Sequence, residues 1–396
     1  MRFLKPLAFL SVCCALSACA TNAVTGKNEL VLVGGNEIAM GQQEYGPTIQ
    51  SQGGAFIHDS ALTSYVNRIG QAIARNSDRR LPYEFTVINS SEPNAWALPG
   101  GKMAINRGML LQMSSEAELA AVLAHEIVHA AAGHSRQQMQ SATLLNLGLQ
   151  LANTQLQGAA YKDIAMQSAS IGAKVLSSKY SQSQELEADQ YGMKYMARAG
   201  FNPKGAVDIQ RTFLRLSKER GMHSDGLSNL FSSHPPSALR VQKNSEHLLT
   251  LPNTKSMGVS SYQQAIAKIK RLQPAYDLFQ KGAKAVAKKQ YSTALIYANQ
   301  AIERFPSEGR FYELKGFCQE KLGQKTSAMS SYNTAIAKNP NYFQGYLMRG
   351  MLHQQRGNRA SAERDLLASY KLLPSPKIKQ LIISLRGGTV QQMPRR

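Results

Sequence analysis

With 396 residues, 43% of them hydrophobic and 18% charged, the chain can bury more than one sizeable core, which excludes a disordered polymer and a small disulfide scaffold. Its formal charge of +21 is concentrated: residues 251–396 hold 24 Lys/Arg against 7 Asp/Glu, whereas residues 19–250 hold 20 against 18. Nucleic acid is a poor partner for this charge, because the basic residues are not interleaved with aromatics as a single-strand platform requires and the amino terminus reads as an export signal.

Arg2 and Lys5 precede about twelve apolar or small residues from Leu7 to Ala18, the length of a secretory core and too short to span a bilayer. Residues 1–18 are therefore expected to be a signal peptide. Leu16-Ser17-Ala18-Cys19 resembles a bacterial lipobox, in which Cys19 becomes the lipidated first residue, and Ala20, in place of aspartate, points to the outer membrane. The alternative is cleavage after Ala18 or Ala20, leaving a soluble periplasmic protein. Cys13 and Cys14 leave with the signal, so Cys318 is the remaining thiol and no intramolecular disulfide is expected; it reads as a buried helix residue.

Residues 19–35 read as the anchor and N-terminal segment, and residues 36–249 as one domain. Helical apolar spacing over 36–52 and 60–76 is followed by short β-rich runs at 85–88, 94–98 and 102–105, which predict a small sheet with one edge on a cleft. Asn94, Ala95 and Trp96 are the candidate substrate contacts on that edge, where an extended peptide can pair through its main chain; a core role is the commoner one for Trp96.

Ser114-Ser115-Glu116-Ala117-Glu118 reads as a cap and acidic first turn of a helix running to Gly133. Mid-helix stands His125-Glu126-Ile127-Val128-His129. Histidines four residues apart share a face, so both imidazoles can reach one Zn²⁺, with Glu126 beside the site as general base. A metzincin arrangement is rejected, since Ala132 and Ser135 stand where it requires Gly and His; His134 is off by one. Helices are expected over 136–157 and 162–177, with the apolar run 144–151 serving as core or lid. On the next predicted helix Glu185 and Asp189 are spaced i, i+4, so Glu185 can be the third ligand while Asp189 accepts the N–H of a ligating histidine. Glu187 falls on the other side and reads as helix surface; a further helix covers 204–220.

HEIVH, the downstream Glu185-Leu186-Glu187-Ala188-Asp189, Ser233-His234-Pro235-Pro236 with Arg240, and Asn94 to Gly101 with Arg107-Gly108 together resemble the HtpX/BepA-like gluzincin metallopeptidases, metallopeptidase family forty-eight, over residues 24–248. The resemblance implies Glu185 as third zinc ligand, Asp189 as its neighbour's hydrogen-bond partner, and His234 and Arg240 near the oxyanion or a blocked resting site. His234 is then either a donor to the tetrahedral oxyanion or a fourth zinc ligand that holds the enzyme latent.

Residues 250–273, rich in Pro, Asn, Thr, Ser and Gly at their start, read as a linker. Beyond them Gly282, Gly316 and Gly350 recur every 34 residues, as do Ala294, Ala328 and Ala362, then Pro306, Pro340 and Pro374. That is the tetratricopeptide (TPR) period, giving three repeats over 275–376 and a capping helix and tail over 377–396. Lys281, Lys315 and Arg349 stand where leucine is usual.

The expected fold is thus mainly α (α+β): a helical gluzincin protease domain with a small β-sheet, followed by a TPR α-solenoid. The expected function is a periplasmic Zn²⁺ endopeptidase acting on misfolded or stalled envelope proteins; the alternative is a TPR-based chaperone or outer-membrane assembly factor with latent proteolysis. The basic repeats suit an acidic protein partner, the outer-membrane assembly machinery or anionic lipid, or are simply a solvated face.

Overall fold

The computed structural model describes residues 17–32, 36–138, 179–220, 227–252 and 256–387. Residues 7–16 of the expected signal core, the run 144–151, the expected helix over 162–177 and all but the first three residues of that over 136–157 lie outside these residues. β1 (Ser17–Thr21) and β2 (Asn28–Leu32) form an antiparallel hairpin that sets Cys19 opposite Leu30. α1 (Glu37–Ser51) starts on an Asn36 cap and α2 (Ser60–Ala74) on an Asp59 cap, close to the predicted bounds.

The sheet forms as expected, in the order β3-β5-β4: β3 (Glu84–Ile88) runs parallel to β5 (Lys102–Asn106), and β4 (Ala95–Leu98) lies antiparallel at the edge. Side-chain alternation splits it into two faces. Phe85, Val87, Ala95, Ala97, Met103 and Ile105 enter the main core, while Ile88, Trp96, Leu98 and Ala104 pack with Tyr45 of α1. After the short α3 (Arg107–Leu110), α4 (Glu116–Ala131) carries HEIVH through the centre of the domain, and nearly all of its side chains are buried. α5 (Gln182–Arg198) lies against it where Gly192 permits a close approach: a Cβ there would sit 3.3 Å from the backbone of Ala124 and His125. α6 (Lys204–Arg220), α7 (Ser228–Ser233) and α8 (Ala238–Leu248) complete the domain.

The stretch expected as a linker is largely helical. α9 (Val259–Ala265) leads into α10 (Ala267–Ala287), which runs through Pro274, and Tyr262, Ile266 and Ile269 are fully buried in the same core as Leu62, Val66 and Ile69. Composition at 250–258 marks a turn-rich entry, but the apolar spacing that follows it is that of a docked helix. The entry is itself structural: the Met257 and Gly258 carbonyls accept the first-turn amides of Ala117 and Glu116, at 3.1 and 3.3 Å, supplying partners that the start of α4 lacks.

Three helix hairpins follow, α10 with α11 (Tyr291–Arg304), α12 (Gly309–Lys321) with α13 (Lys325–Lys338), and α14 (Phe343–Gln355) with α15 (Arg359–Leu372); α16 (Pro376–Arg386) packs on the last. Ala294, Ala328 and Ala362 are fully buried at equivalent places, and Cys318 is buried in α12. Arg349, at a leucine position of the repeat, is held by both oxygens of Asp365 at 2.7 Å. Glu313 lines a recess with Phe279, Arg310 and Phe317, 5% exposed, and burial pushes its carboxyl up to about 8 despite the pull of Arg310. A raised carboxyl pKa costs stability as pH climbs from its ordinary value of 4.5 to about 8. Glu313→Gln is therefore expected to gain ~2 kcal/mol at pH 8 and nothing at pH 4, read from chemical denaturation at the two pH values.

The repeats meet the domain of residues 36–249 around one buried carboxylate. Glu308, on the turn between α11 and α12, is fully buried; its Oε2 accepts from Tyr276 Oη (2.6 Å) and Asn89 Nδ2 (2.7 Å) and lies 3.2 Å from His58 Nε2, and its Oε1 accepts from the Arg310 amide (3.1 Å). Burial alone would raise its pKa, but the bonds from His58 and Tyr276 outweigh it and hold the group at about 2. Arg310 reaches back to the Asn89 carbonyl, and the buried Arg107 stacks on Tyr276, 3.6 Å from the ring centre.

Candidate metal centre

α4 places His125 and His129 one turn apart with their Nε2 atoms 3.0 Å from each other. α5, begun by a capping box at Ser181 and Gln184, carries Glu185 toward them: its carboxylate oxygens lie 3.5 Å from His125 Nε2 and 3.4 Å from His129 Nε2. His234, at the end of α7, brings Nδ1 to 3.3 Å from His125 Nε2 and 2.8 Å from Glu185 Oε1. One donor atom from each of the four residues falls within 4.8 Å of all the others. Tetrahedral bonds of the usual Zn–N and Zn–O length set ligand atoms about 3.3 Å apart, so the donor set and its spacing fit this ion.

The carboxylates are arranged in two layers. Asp189 Oδ1 accepts from His125 Nδ1 at 2.9 Å, which fixes the proton there and leaves the Nε2 lone pair facing the cluster. Arg240, 3% exposed on α8, donates to both Asp189 oxygens at 2.7 Å and pairs with Glu185 Oε2 at 2.5 Å. Burial would raise both carboxyls, yet the Arg240 charge outweighs it and holds Glu185 well below, and Asp189 below, the ordinary range. Burial likewise opposes a charged His125, but Glu185 and Asp189 hold its pKa up at about 10, whereas burial drives His129 well below its ordinary value. A cation held by His125 must therefore displace a proton.

Glu126 lies beside the cluster, with Oε1 3.7 Å from His234 Nε2, and its Oε2 has no hydrogen-bond partner among the described residues. Burial raises its pKa, the condition of a carboxylate ready to take a proton. A narrow apolar recess formed by Ala95, Val122, Met193, Ile209, Phe213 and Leu230 opens onto His125, Glu126 and His234.

Of the three expected substrate contacts, Ala95 lines this recess, Asn94 is buried just before β4, and Trp96 turns to the opposite face of the sheet, 3% exposed and edge-on to Tyr45. The period of two in β4 dictates that split. Arg240 sits behind the carboxylates as their counter-ion. Sequence reasoning missed three neighbours. Tyr180 stacks on His129 with ring centres 3.7 Å apart, His134 Nδ1 lies 3.0 Å from His129 Nδ1, and Glu187, read as helix surface, faces His134 and Lys27. Burial drives the His134 pKa down to about 4. Its closeness to HEIVH was the available signal for His134; nothing in the spacing pointed to Tyr180.

An HExxH helix completed by a carboxylate from a second helix further along the chain is the donor set of the gluzincin class of metallopeptidases. The model of peptidase family M48 matches residues 60–247. The metalloprotease LoiP of Escherichia coli is 31% identical over 182 residues, covering 46% of this chain and 67% of the relative. The chain belongs to peptidase family M48. A putative beta-barrel assembly-enhancing protease of Vibrio cholerae is 28% identical over 324 residues, 75% of this chain; the chain spans 66% of that relative's length. It spans 37% of the Escherichia coli beta-barrel assembly-enhancing protease, 28% identical over 190 residues and 45% of this chain. Among solved structures, the Arabidopsis OM64 TPR domain aligns with 30% of this chain and 99% of its own length, at 19% identity and a TM-score of 0.29. Among the described residues no helix is long and apolar enough to cross a membrane.

Proposed function

We propose that this chain is a zinc-dependent endopeptidase of the bacterial envelope. The observation that carries the reading is the convergence of His125, His129 and Glu185, held by α4 and α5, with Glu126 beside them. Zinc held by these three residues would polarise the scissile carbonyl and acidify a water. Glu126 takes the proton from the attacking water on its unpartnered oxygen and passes it to the departing amine as the C–N bond breaks. Asp189 keeps the His125 ring in its ligating tautomer. An extended substrate lies along β4, an edge strand whose Ala95 lines the recess beside the site; just before it the Asn94 carbonyl accepts the Asn106 amide at 2.8 Å and ties the start of that edge to β5.

His234 reads as a latch. Its Nδ1 fills the remaining corner of the donor cluster, 3.3 Å from His125 Nε2, which favours a restrained enzyme over an always open one. Arg240 steadies that corner, since it also bonds the Pro235 carbonyl next to His234 at 3.4 Å. The substrate class is unfolded or misfolded envelope proteins, as in assembly quality control, with residues 251–396, the basic third of the chain that holds the repeats and carries a net charge of +17, engaging an acidic face of a partner, the outer-membrane assembly machinery or anionic lipid. Lipidated Cys19 anchors the protein at the outer-membrane side of the periplasm. Zinc content and casein hydrolysis for the wild type, Glu185→Ala and His234→Ala test the site. One zinc per chain is expected in wild type, with loss of stoichiometric zinc in Glu185→Ala and several-fold faster hydrolysis in His234→Ala. Wild-type protein without zinc would overturn the peptidase reading, and slower hydrolysis in His234→Ala would return His234 to oxyanion stabilisation.

A further inference from the structure

The second motif histidine has its own support line, distinct from that of the first. His129 directs Nε2 into the donor cluster, and its Nδ1 lies 3.0 Å from Nδ1 of His134, five residues on and 2% exposed. Two imidazole nitrogens can share a hydrogen bond only when one of them carries the proton. If His134 were the donor, His129 would carry its proton on Nε2 and have no lone pair for a cation. The opposite placement is the one the surroundings favour. His134 Nε2 lies 3.3 Å from Glu187 Oε2, a carboxylate that accepts and cannot donate when ionised, so the His134 proton belongs on Nε2 and its Nδ1 is left to accept from His129. Lys27, between β1 and β2, pairs with the other Glu187 oxygen and so aims that carboxylate.

We propose that Glu187 and His134 are positioning residues for the metal centre, a carboxylate and imidazole in series that select the ligating tautomer of His129. α5 then serves both ligand histidines, since Asp189 acts directly on His125 while Glu187 acts on His129 through His134. The inference deepens the zinc peptidase reading and rests on it.

Chelator competition on the full chain measures zinc affinity without reference to activity. Glu187→Gln and His134→Leu are each expected to weaken zinc binding 10- to 100-fold, as loss of an outer partner of a ligating histidine does. His134→Gln, whose amide can accept from His129 and donate to Glu187, is expected to recover most of that loss. The double variant Glu187→Gln with His134→Leu should bind no more weakly than His134→Leu alone, because the two residues act in one line. Unchanged affinity in a folded Glu187→Gln protein, or losses that add in the double variant, would overturn the inference and leave the peptidase reading standing. A wild-type chain that binds no zinc would overturn both. Should His134→Leu fail to fold, Glu187→Gln and His134→Gln still decide the question, since Glu187 sits at the rim of the site with a side chain 17% exposed.

Discussion

Glu126→Gln is expected to lower peptide hydrolysis by roughly 10³-fold while leaving zinc content and the thermal melt close to wild type. The glutamine amide has the shape of the carboxylate but cannot take a proton, so the loss isolates proton transfer from metal binding. The surroundings make this a clean substitution. Glu126 is 3% exposed, one of its oxygens has no hydrogen-bond partner among the described residues, and its near neighbour is His234 at 3.7 Å. The pair it forms with His234 is long, at 3.7 Å, and burial already pushes the carboxyl pKa up, so replacing the charge by an amide removes little. Steady-state hydrolysis of casein, with zinc measured on the same sample, gives the comparison. Retention of more than a tenth of wild-type activity would assign the base to another group. The same variant separates the two functions open to this chain: a folded, zinc-loaded Glu126→Gln protein that restores envelope integrity as well as wild type does would favour an assembly role for the repeats over proteolysis.

Glu308→Ala is expected to destabilise the whole chain by about 3 kcal/mol at pH 7, and to do so through the junction between the peptidase domain and the repeats. The carboxylate collects donors from both sides, Asn89 and His58 from the peptidase domain and Tyr276 and the Arg310 amide from the repeats. Without it these buried donors have no shared acceptor. The pH dependence follows from its depressed pKa. A carboxyl held at about 2, against an ordinary 4.5, contributes stability that is complete above 4.5 and disappears as pH falls toward 2. The shift corresponds to about 3 kcal/mol, so wild type and variant should differ at pH 7 and converge near pH 2. Urea denaturation across that range is the measurement. Equal slopes of stability against pH for the two proteins would show that Glu308 does not bind them together.

How far the sequence could be read depended on how local the signal was. HEIVH, the Glu185 and Asp189 pair and the 34-residue spacing are each contained in one or two helices, and the predicted bounds of α2, α4 and α6 lie within two or three residues of the helices found. The sheet was legible as three runs, because short stretches rich in β-branched and aromatic residues, such as Phe85-Thr86-Val87-Ile88, bounded by turn residues are a local pattern too. Pairing order was not, since β5 enters between β3 and β4 and leaves β4 at the edge, and no single stretch encodes that. The linker reading failed for a similar reason. Its composition is loop-like at 250–258, but Tyr262, Ile266 and Ile269 acquire meaning only once Leu62, Val66 and Ile69 are beside them. At the site, Tyr180 and the pairing of His134 with Glu187 depend on separate segments converging on His129, which a spacing rule applied to one helix cannot register.

The capping of α4 by Met257 and Gly258 bears on how this molecule can be divided. Those carbonyls belong to the strip of chain that hands over to the repeats, yet they complete the first turn of the helix on which His125, Glu126 and His129 stand. A protein shortened at residue 250, where composition invites the cut, would lose those two acceptors together with the Tyr262 hydroxyl that bonds the Leu110 carbonyl at 2.7 Å. The two halves are therefore not interchangeable modules. Repeats grafted from another chain would have to bring this strip with them to keep the first turn of α4 capped.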